Sequence, residues 1–241
     1  MFRAFADAAL AVLLAPCCAT CGGVLERPLD GAVCAGCWAR IACFSPPLCA
    51  ACGEPLPSLR THPGERCGNC SITLGAAIAA RSVGAFDGML ADVVHALKYG
   101  RRPSVARPLS ALMRRAGGDL LTGVEVAVPV PLHRRRLRER GFNQAEPLAR
   151  GLGVPLCHAL QRARLTPAQA VLSGGARRVN LRGAFVLAAA AERIRGRVVV
   201  LVDDVLTTGA TVTACADALA TAAPRRIVVL TAARAVSAPR H

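Results

Sequence analysis

At 241 residues the chain has room for one large domain, or a medium one with a small companion, and 53% hydrophobic residues supply a real core. Aromatics make up only 3%, which argues against a base-stacking platform for single-stranded nucleic acid. The net charge of +15 is lopsided: residues 1–92 carry 6 basic and 7 acidic side chains, residues 93–241 carry 24 and 8. The second part therefore suits phosphates or nucleic acid, unless it is simply an arginine-rich solvated surface.

Residues 1–16, MFRAFADAALAVLLAP, hold an apolar run too short to span a bilayer. Asp7 interrupts it and no small-x-small cleavage site follows, which argues against a signal peptide. Phe2, Phe5, Ala9, Val12 and Leu13 fall near helical spacing and predict an amphipathic helix packed on the body. No other segment is long enough to cross a membrane, so a cytoplasmic protein is expected.

Ten of the twelve cysteines lie between residues 17 and 70. Eight of them form four CxxC pairs: Cys18 with Cys21, Cys34 with Cys37, Cys49 with Cys52, and Cys67 with Cys70. Each pair can present two thiolates to one metal, and two such knuckles complete a tetrahedral four-sulfur site, so up to two structural zinc ions are expected. Four protein ligands close such a site and leave no position for catalysis. Disulfides are the competing reading, disfavoured by the CxxC spacing in a chain without an export signal. Sequential and crossed pairing of the knuckles both fit, and Cys17 could replace Cys18 by a one-residue shift. Cys43, Cys157 and Cys215 read as small core residues. The segment has little periodicity and near-neutral charge, so metal stands in for a core and the role is structural or partner-docking.

From about residue 76 the pattern becomes α/β, dividing the chain into 1–75 and 76–241. Residues 87–97 fit a helix with Met89, Leu90, Val93, Val94 and Leu97 on one side, and 108–115 fit another with Pro108 in its first turn. Residues 124–130 (VEVAVPV) read as a strand and 143–152 as a helix. The continuous apolar run 196–202 predicts a central parallel strand, 210–222 a helix, and 226–232 the next strand, together a βαβ unit. Parallel sheets place ligand sites at the carboxyl ends of their strands, and 131–143, 203–211 and Arg234 fall at such ends.

The stretch VVVLVDDVLTTGAT at 198–211 is the most informative. A strand Val198–Val202 delivers Asp203 and Asp204 to the sheet edge, and Thr207, Thr208, Gly209, Ala210 and Thr211 open a helix. Gly209 allows backbone N–H groups to turn inward, and the helix N-terminus and hydroxyls complete a phosphate cradle. The carboxylates cannot bind phosphate but can accept hydrogen bonds from vicinal ribose hydroxyls and sit near Mg²⁺. A ribose 5-phosphate fits both halves. An ordinary N-cap explains one acid and one hydroxyl, and leaves the second acid and TTGAT unexplained.

This stretch resembles the phosphoribosyl-pyrophosphate (PRPP) motif of type I phosphoribosyltransferases. With VPVPLHRRRLRERGFNQA at 128–145, R-x-R-x-T-x-x-Q at 162–169, Arg177, Asn180, GAF at 183–185, ALKYG at 96–100 and the CxxC ribbons, the chain resembles the ComF family from residue 16 to 234. The resemblance implies a Rossmann-like parallel sheet behind a double zinc ribbon. It also implies Asp203 and Asp204 on the ribose hydroxyls and Thr207 to Thr211 around the 5-phosphate, with Mg²⁺ accompanying PRPP.

The 131–143 turn reads as a second anion site, with His133, Arg134, Arg138 and Arg140 as candidates, joined by Lys98, the sole lysine. Such a turn could clamp pyrophosphate or equally a nucleic-acid backbone. Several consecutive arginines must face solvent. Residues 164–183, with Arg177 and Asn180, look like the flap that phosphoribosyltransferases close over the reacting centre. Two functions are expected from this resemblance: phosphoribosyl transfer to an acceptor the sequence does not reveal, or non-catalytic binding of single-stranded DNA or sensing of PRPP in DNA uptake, beside a DNA-translocating helicase.

Overall fold

The computed structural model describes residues 6, 7, 10, 12, 14–57, 62, 64–67, 74, 76–100, 102–164, 181 and 183–236. Four parallel strands form the main sheet: β1 (Ala80–Ala85), β2 (Val126–Pro129), β5 (Val198–Leu206) and β6 (Arg226–Arg234), in the order β1-β6-β5-β2. Two short strands, β3 (Leu160–Arg162) and β4 (Phe185–Leu187), pair antiparallel beside it.

Strand alternation explains the layering. Val199 and Leu201 of β5, with Ile227 and Val229 of β6, point to one face, under the helix Ala210–Ala220 and the β3–β4 pair. Val200, Val202, Val228 and Leu230 point to the other, under the helices Gly88–Tyr99 (α2), Ala106–Gly117 (α3) and Ala145–Arg150 (α5). With both faces covered, the strands can be apolar throughout, as the run at 198–202 requires. The remaining helices are α1 (Ala35–Ala39), α4 (Arg134–Arg140) and α6, the Ala210–Ala220 helix.

Several boundaries differ from the sequence expectation. β5 does not stop at Val202 but runs through both acids to Leu206, with Asp203 opposite Thr231 and Leu206 opposite Arg234. β1 had no sequence signal, because ARSVGA carries Arg81, Ser82 and Gly84. Ser82 shares a buried 2.6 Å hydroxyl contact with Thr231, and Gly84 leaves room for the Ala42 carbonyl, which a Cβ would strike. The segment 134–140 is a helix rather than an open loop.

The cysteine-rich part lies against this body. Cys18, Leu25, Val33, Cys37 and Ile41 pack into the α2–α3 side of the core, and Cys49, Ala51 and Cys52 into the other. Ala80 N–H donates to the Ala51 carbonyl at 2.7 Å and Phe44 N–H to the Val83 carbonyl at 2.7 Å, so the ribbon chain runs along β1. Near the start of the chain, residues 6, 7, 10, 12 and 14 are helical. Val12, expected to face the body, is exposed, as is Leu14, whereas Asp7 is buried and accepts the Leu29 N–H at 2.9 Å. Leu10 lies on the Asp7 side of the turn, and Val12 lies roughly opposite it at 100° per residue. Phe2, Phe5, Ala9 and Leu13 are outside the described residues. Among the described residues no helix is long and apolar enough to cross a membrane.

Candidate functional site

A cavity of about 240 Å³ opens at the carboxyl edge of the sheet, between the segments that leave β2 and β5. Adjacent parallel strands whose following chains diverge leave such a crevice. Its walls carry acids on one strand, a hydroxyl-rich turn next to them, and arginines across the gap.

Asp203 and Asp204 are neighbours on β5, so pleating turns their side chains to opposite sides. Asp203 Oδ1 accepts the Asp204 N–H at 2.8 Å. Burial, reinforced by the Asp204 charge, pushes the Asp203 carboxyl up to about 7, against the opposing pull of that N–H, Lys98 and Arg162. Asp204 is held by Lys98, whose Nζ lies 3.2 Å from Oδ1 and 5.5 Å from the centre of the Phe86 ring. Lys98, expected to hold an anion, thus stands in the cavity wall with a carboxylate as its partner.

Thr207, Thr208 and Gly209 turn the chain from β5 into α6. Gly209 sits at φ +78°, the left-handed region a side chain resists, and its carbonyl accepts the Thr213 N–H at 2.8 Å. The N-terminal N–H groups of α6 face the cavity side, where Thr207, Gly209 and Thr211 form the wall. Thr208 does not line the cavity, and its Oγ1 is buried with no hydrogen-bond partner among the described residues. Ala210 is buried behind this turn.

Helix geometry sorts the arginines of α4. Arg136 and Arg140, four residues apart, share one face, are half-buried and line the cavity. Arg134 and Arg138 are exposed and do not line it, and His133 caps the helix by accepting the Arg135 N–H at 3.2 Å. The sequence predicts a turn over 131–143; because 134–140 is helical, only one face of the string can reach the site. Three further residues had no assigned role. Arg140 donates to Gln144 Oε1 at 3.0 Å, which turns the Gln144 amide nitrogen away from it, buried and unpartnered. Asn143 Nδ2 donates to the Val130 carbonyl at 2.9 Å and fixes the end of the turn. Arg162, at the end of β3, stacks over Phe185 at 5.3 Å and reaches the cavity. The motif R-x-R-x-T-x-x-Q begins at Arg162, the signal that could have placed it. Arg162 pairs with Phe185 and Ala163 N–H with the Ala184 carbonyl, so the two ends of the expected flap are clasped at the cavity rim. Arg177 and Asn180 lie outside the described residues.

Arg234, the third strand end singled out in the sequence, does not line the cavity. It is buried and donates to the Cys52 carbonyl at 2.9 Å and to Glu54 at 2.8 Å.

The cysteines settle into two clusters by sequential pairing. Cys18, Cys21, Cys34 and Cys37 form one, with Sγ atoms all within 4.8 Å, and Cys49, Cys52 and Cys67 form the other, while Cys70 lies outside the described residues. Four sulfurs around a zinc at about 2.3 Å stand about 3.8 Å apart. The 3.9 Å of Cys18–Cys37 and of Cys21–Cys34 and the 3.5 Å of Cys52–Cys67 match that edge, so both clusters fit structural zinc. Cys17 is exposed and bonds its own turn at Ala15, which removes it as a ligand in place of Cys18. Burial opposes charge on Cys18, yet N–H groups of Cys21, Cys34 and Thr20 and the Thr20 hydroxyl bring its thiol down to about 5. Burial and the neighbouring sulfurs of Cys52 and Cys49 push the Cys67 thiol up. No disulfide occurs among the described residues.

Residues 9–71 match the double zinc ribbon domain and residues 137–240 the phosphoribosyl transferase domain. Competence protein F of Haemophilus influenzae is 34% identical over 80% of this chain and 86% of its own length. DNA utilization protein YhgH of Escherichia coli O157:H7 is 36% identical over 78% of this chain and 83% of its own. Among solved structures, a glutamine PRPP amidotransferase from B. subtilis, complexed with ADP and GMP, aligns with a TM-score of 0.36 at 19% identity, over 56% of this chain and 30% of that one. The chain belongs to the ComF family, a double zinc ribbon followed by a phosphoribosyltransferase domain.

Proposed function

We propose that the cavity binds PRPP, or a related ribose 5-phosphate, together with Mg²⁺. One observation carries this reading: the paired acids Asp203 and Asp204, Thr207, Gly209 and Thr211 of the following turn, and the arginines Arg136, Arg140 and Arg162 line a single cavity. The 5-phosphate sits in the turn, where α6 N–H groups and the lining residues Thr207 and Thr211 surround it. Asp203 and Asp204 accept the ribose hydroxyls, and the arginines face the C1 pyrophosphate. Hard carboxylate oxygens suit Mg²⁺, which when bound with PRPP offsets the pyrophosphate charge.

Transfer from such a ligand needs little covalent help. As the C1–oxygen bond breaks, positive charge develops on the sugar beside Asp203 and Asp204, and negative charge on the leaving group beside Arg136, Arg140 and Arg162. Apart from Asp203 and Asp204, the described residues lining the cavity include no carboxylate or imidazole to serve an acceptor as base.

The same proposal covers cellular role and organisation. The names of the relatives, competence protein F and DNA utilization protein, support a role for this chain in DNA uptake or use; single-stranded DNA, a DNA-translocating helicase and a cytoplasmic location are our own extension of that role. The boundary lies near residue 75, between the ribbons (1–75) and the phosphoribosyltransferase-like domain (76–241). A non-catalytic reading, in which the protein holds DNA or senses PRPP, draws support from Arg134, Arg135 and Arg138, exposed together on the outer side of α4.

Salt separates the two. DNA held by exposed arginines loses affinity steeply between 50 and 200 mM salt, by roughly 0.7 log units per released ion per decade of salt. Mg–PRPP binding that depends on Asp203 and Asp204 should change far less. PRPP affinity that tracks DNA affinity across the salt series, and survives loss of both acids, would refute the cavity as the PRPP site.

A further inference from the structure

Arg234 is a buried cation committed to the second cysteine cluster. Its Nη1 donates to the carbonyl of Cys52, itself in that cluster, at 2.9 Å. Its Nη2 donates at 2.8 Å to Glu54 Oε2, which lies 3.9 Å from Cys67 Sγ. Only 3% of the residue is exposed, so these groups are what compensate its charge.

The backbone of the same residue holds the cavity. Arg234 ends β6 opposite Leu206, and the next N–H, of Ala235, donates to the Leu206 carbonyl at 2.8 Å. Leu206 leads directly into Thr207, Thr208 and Gly209. On its other side the Arg234 carbonyl accepts the Phe86 N–H at 2.6 Å. Phe86 lines the cavity, packs under Lys98, and Lys98 holds Asp204. One residue thus joins a cysteine cluster to both the turn at 207–209 and the Lys98–Asp204 pair.

We infer that Arg234 is a positioning residue through which metal occupancy of the Cys49–Cys52–Cys67 cluster sets the order, and the phosphate affinity, of the 203–211 segment. This rests on the ribose-phosphate reading of the cavity and adds its regulation. Zinc holds the Cys49–Cys52 turn, and with it the Cys52 carbonyl, where the guanidinium needs it, while Glu54 balances the guanidinium charge. Without it, the Cys49–Cys52 turn loosens and the Cys52 carbonyl leaves the guanidinium. Arginine cannot shed its proton, so the uncompensated side chain must move toward water and carry the end of β6 with it. The first cluster packs on the other face of the sheet.

The test uses the full chain with zinc bound and three readouts: zinc per chain, ribose 5-phosphate affinity by calorimetry, and amide hydrogen exchange over 203–211. Arg234→Met keeps most of the volume and removes the buried charge. It should retain zinc and overall fold, yet weaken ribose 5-phosphate at least tenfold and speed exchange at 203–211; Arg234→Lys should recover part of both. Cys67→Ser should lose one zinc and show the same two changes. Cys43→Ser, a cysteine outside both clusters, should show neither. Should Arg234→Met fail to fold, Glu54→Gln gives the milder form of the same break. Parent-like exchange at 203–211 in Arg234→Met, or in a Cys67→Ser protein that has lost its zinc, overturns the inference. A parent that fails to bind ribose 5-phosphate instead sinks the reading of the cavity, and the exchange data still decide the role of Arg234.

Discussion

Replacing Asp203 by Asn should make the protein more stable at neutral and alkaline pH while abolishing its ribose contact. In the folded chain burial and Asp204 hold this carboxyl near 7, against an ordinary value of 3.8. The folded state therefore keeps a proton that the unfolded state has lost, so stability present below pH 4 falls as pH rises through 7. The full difference corresponds to ~4 kcal/mol at about 1.36 kcal/mol per pH unit, a ceiling that water entry and relaxation will lower. Between pH 6 and 8, where the cysteine clusters keep their metal, about 1.4 kcal/mol of it should be lost by the parent. The amide introduced by Asp203→Asn does not titrate, and its oxygen can still accept the Asp204 N–H. The assay is urea unfolding at pH 6, 7 and 8 with zinc present, followed by far-ultraviolet circular dichroism for the α/β body. Trp38, the one tryptophan, follows α1 and the first ribbon separately. The parent should lose about 1.4 kcal/mol more than Asp203→Asn over that range. Parallel pH profiles would refute a buried, shifted carboxyl at this position.

The same carboxyl makes ribose binding pH-dependent: ribose hydroxyls or Mg²⁺ favour its charged form, so ribose 5-phosphate should bind more tightly at pH 8 than at pH 6. Asp203→Asn should leave only the contribution of the ligand phosphate, which titrates near 6. Arg136→Ala or Arg140→Ala should weaken inorganic pyrophosphate by about 10- to 100-fold, the range for a lost charged hydrogen bond, and Arg134→Ala or Arg138→Ala by less than about twofold. Calorimetry that ranks the two pairs equally would place the anion on the outside of α4. Gly209→Val should destabilise the fold by at least ~1 kcal/mol and abolish phosphate binding, because a β-branched residue resists φ +78°. Unchanged phosphate affinity in that variant would show that the turn at 207–211 is not the cradle. Elemental analysis should give two zinc ions per chain, and one zinc or titratable disulfides would contradict the two-cluster arrangement.

What the sequence showed clearly was what depends on local order. The apolar runs of β5 and β6 with α6 between them, and the four CxxC pairs, are spelled out in consecutive residues. What depends on distant partners was hidden. β1 reads as ARSVGA because its polar and small residues answer to neighbours elsewhere: Ser82 to Thr231, Gly84 to Ala42, and Arg81 to the Cys49 and Ala50 carbonyls. RRRLRER has one apolar residue and no helical pattern, so its folding as α4 was not visible, nor was the selection of Arg136 and Arg140 over Arg134 and Arg138. Two acids ended the apparent run of β5, although the ladder continues to Leu206, because Thr231 pairs across from Asp203 and Ala233 across from Val205. Arg162, Gln144 and Phe86 reach the cavity from three separate segments, a convergence only the fold creates.

The most direct measurement is calorimetric titration of Mg–PRPP into the zinc-loaded protein, with Asp203→Asn/Asp204→Asn in parallel. Saturable one-to-one binding by the parent, lost in the double variant while both proteins retain zinc and secondary structure, is the expected result. No binding by the parent, or equal binding by both, would contradict a ribose-phosphate site at the carboxyl end of β5.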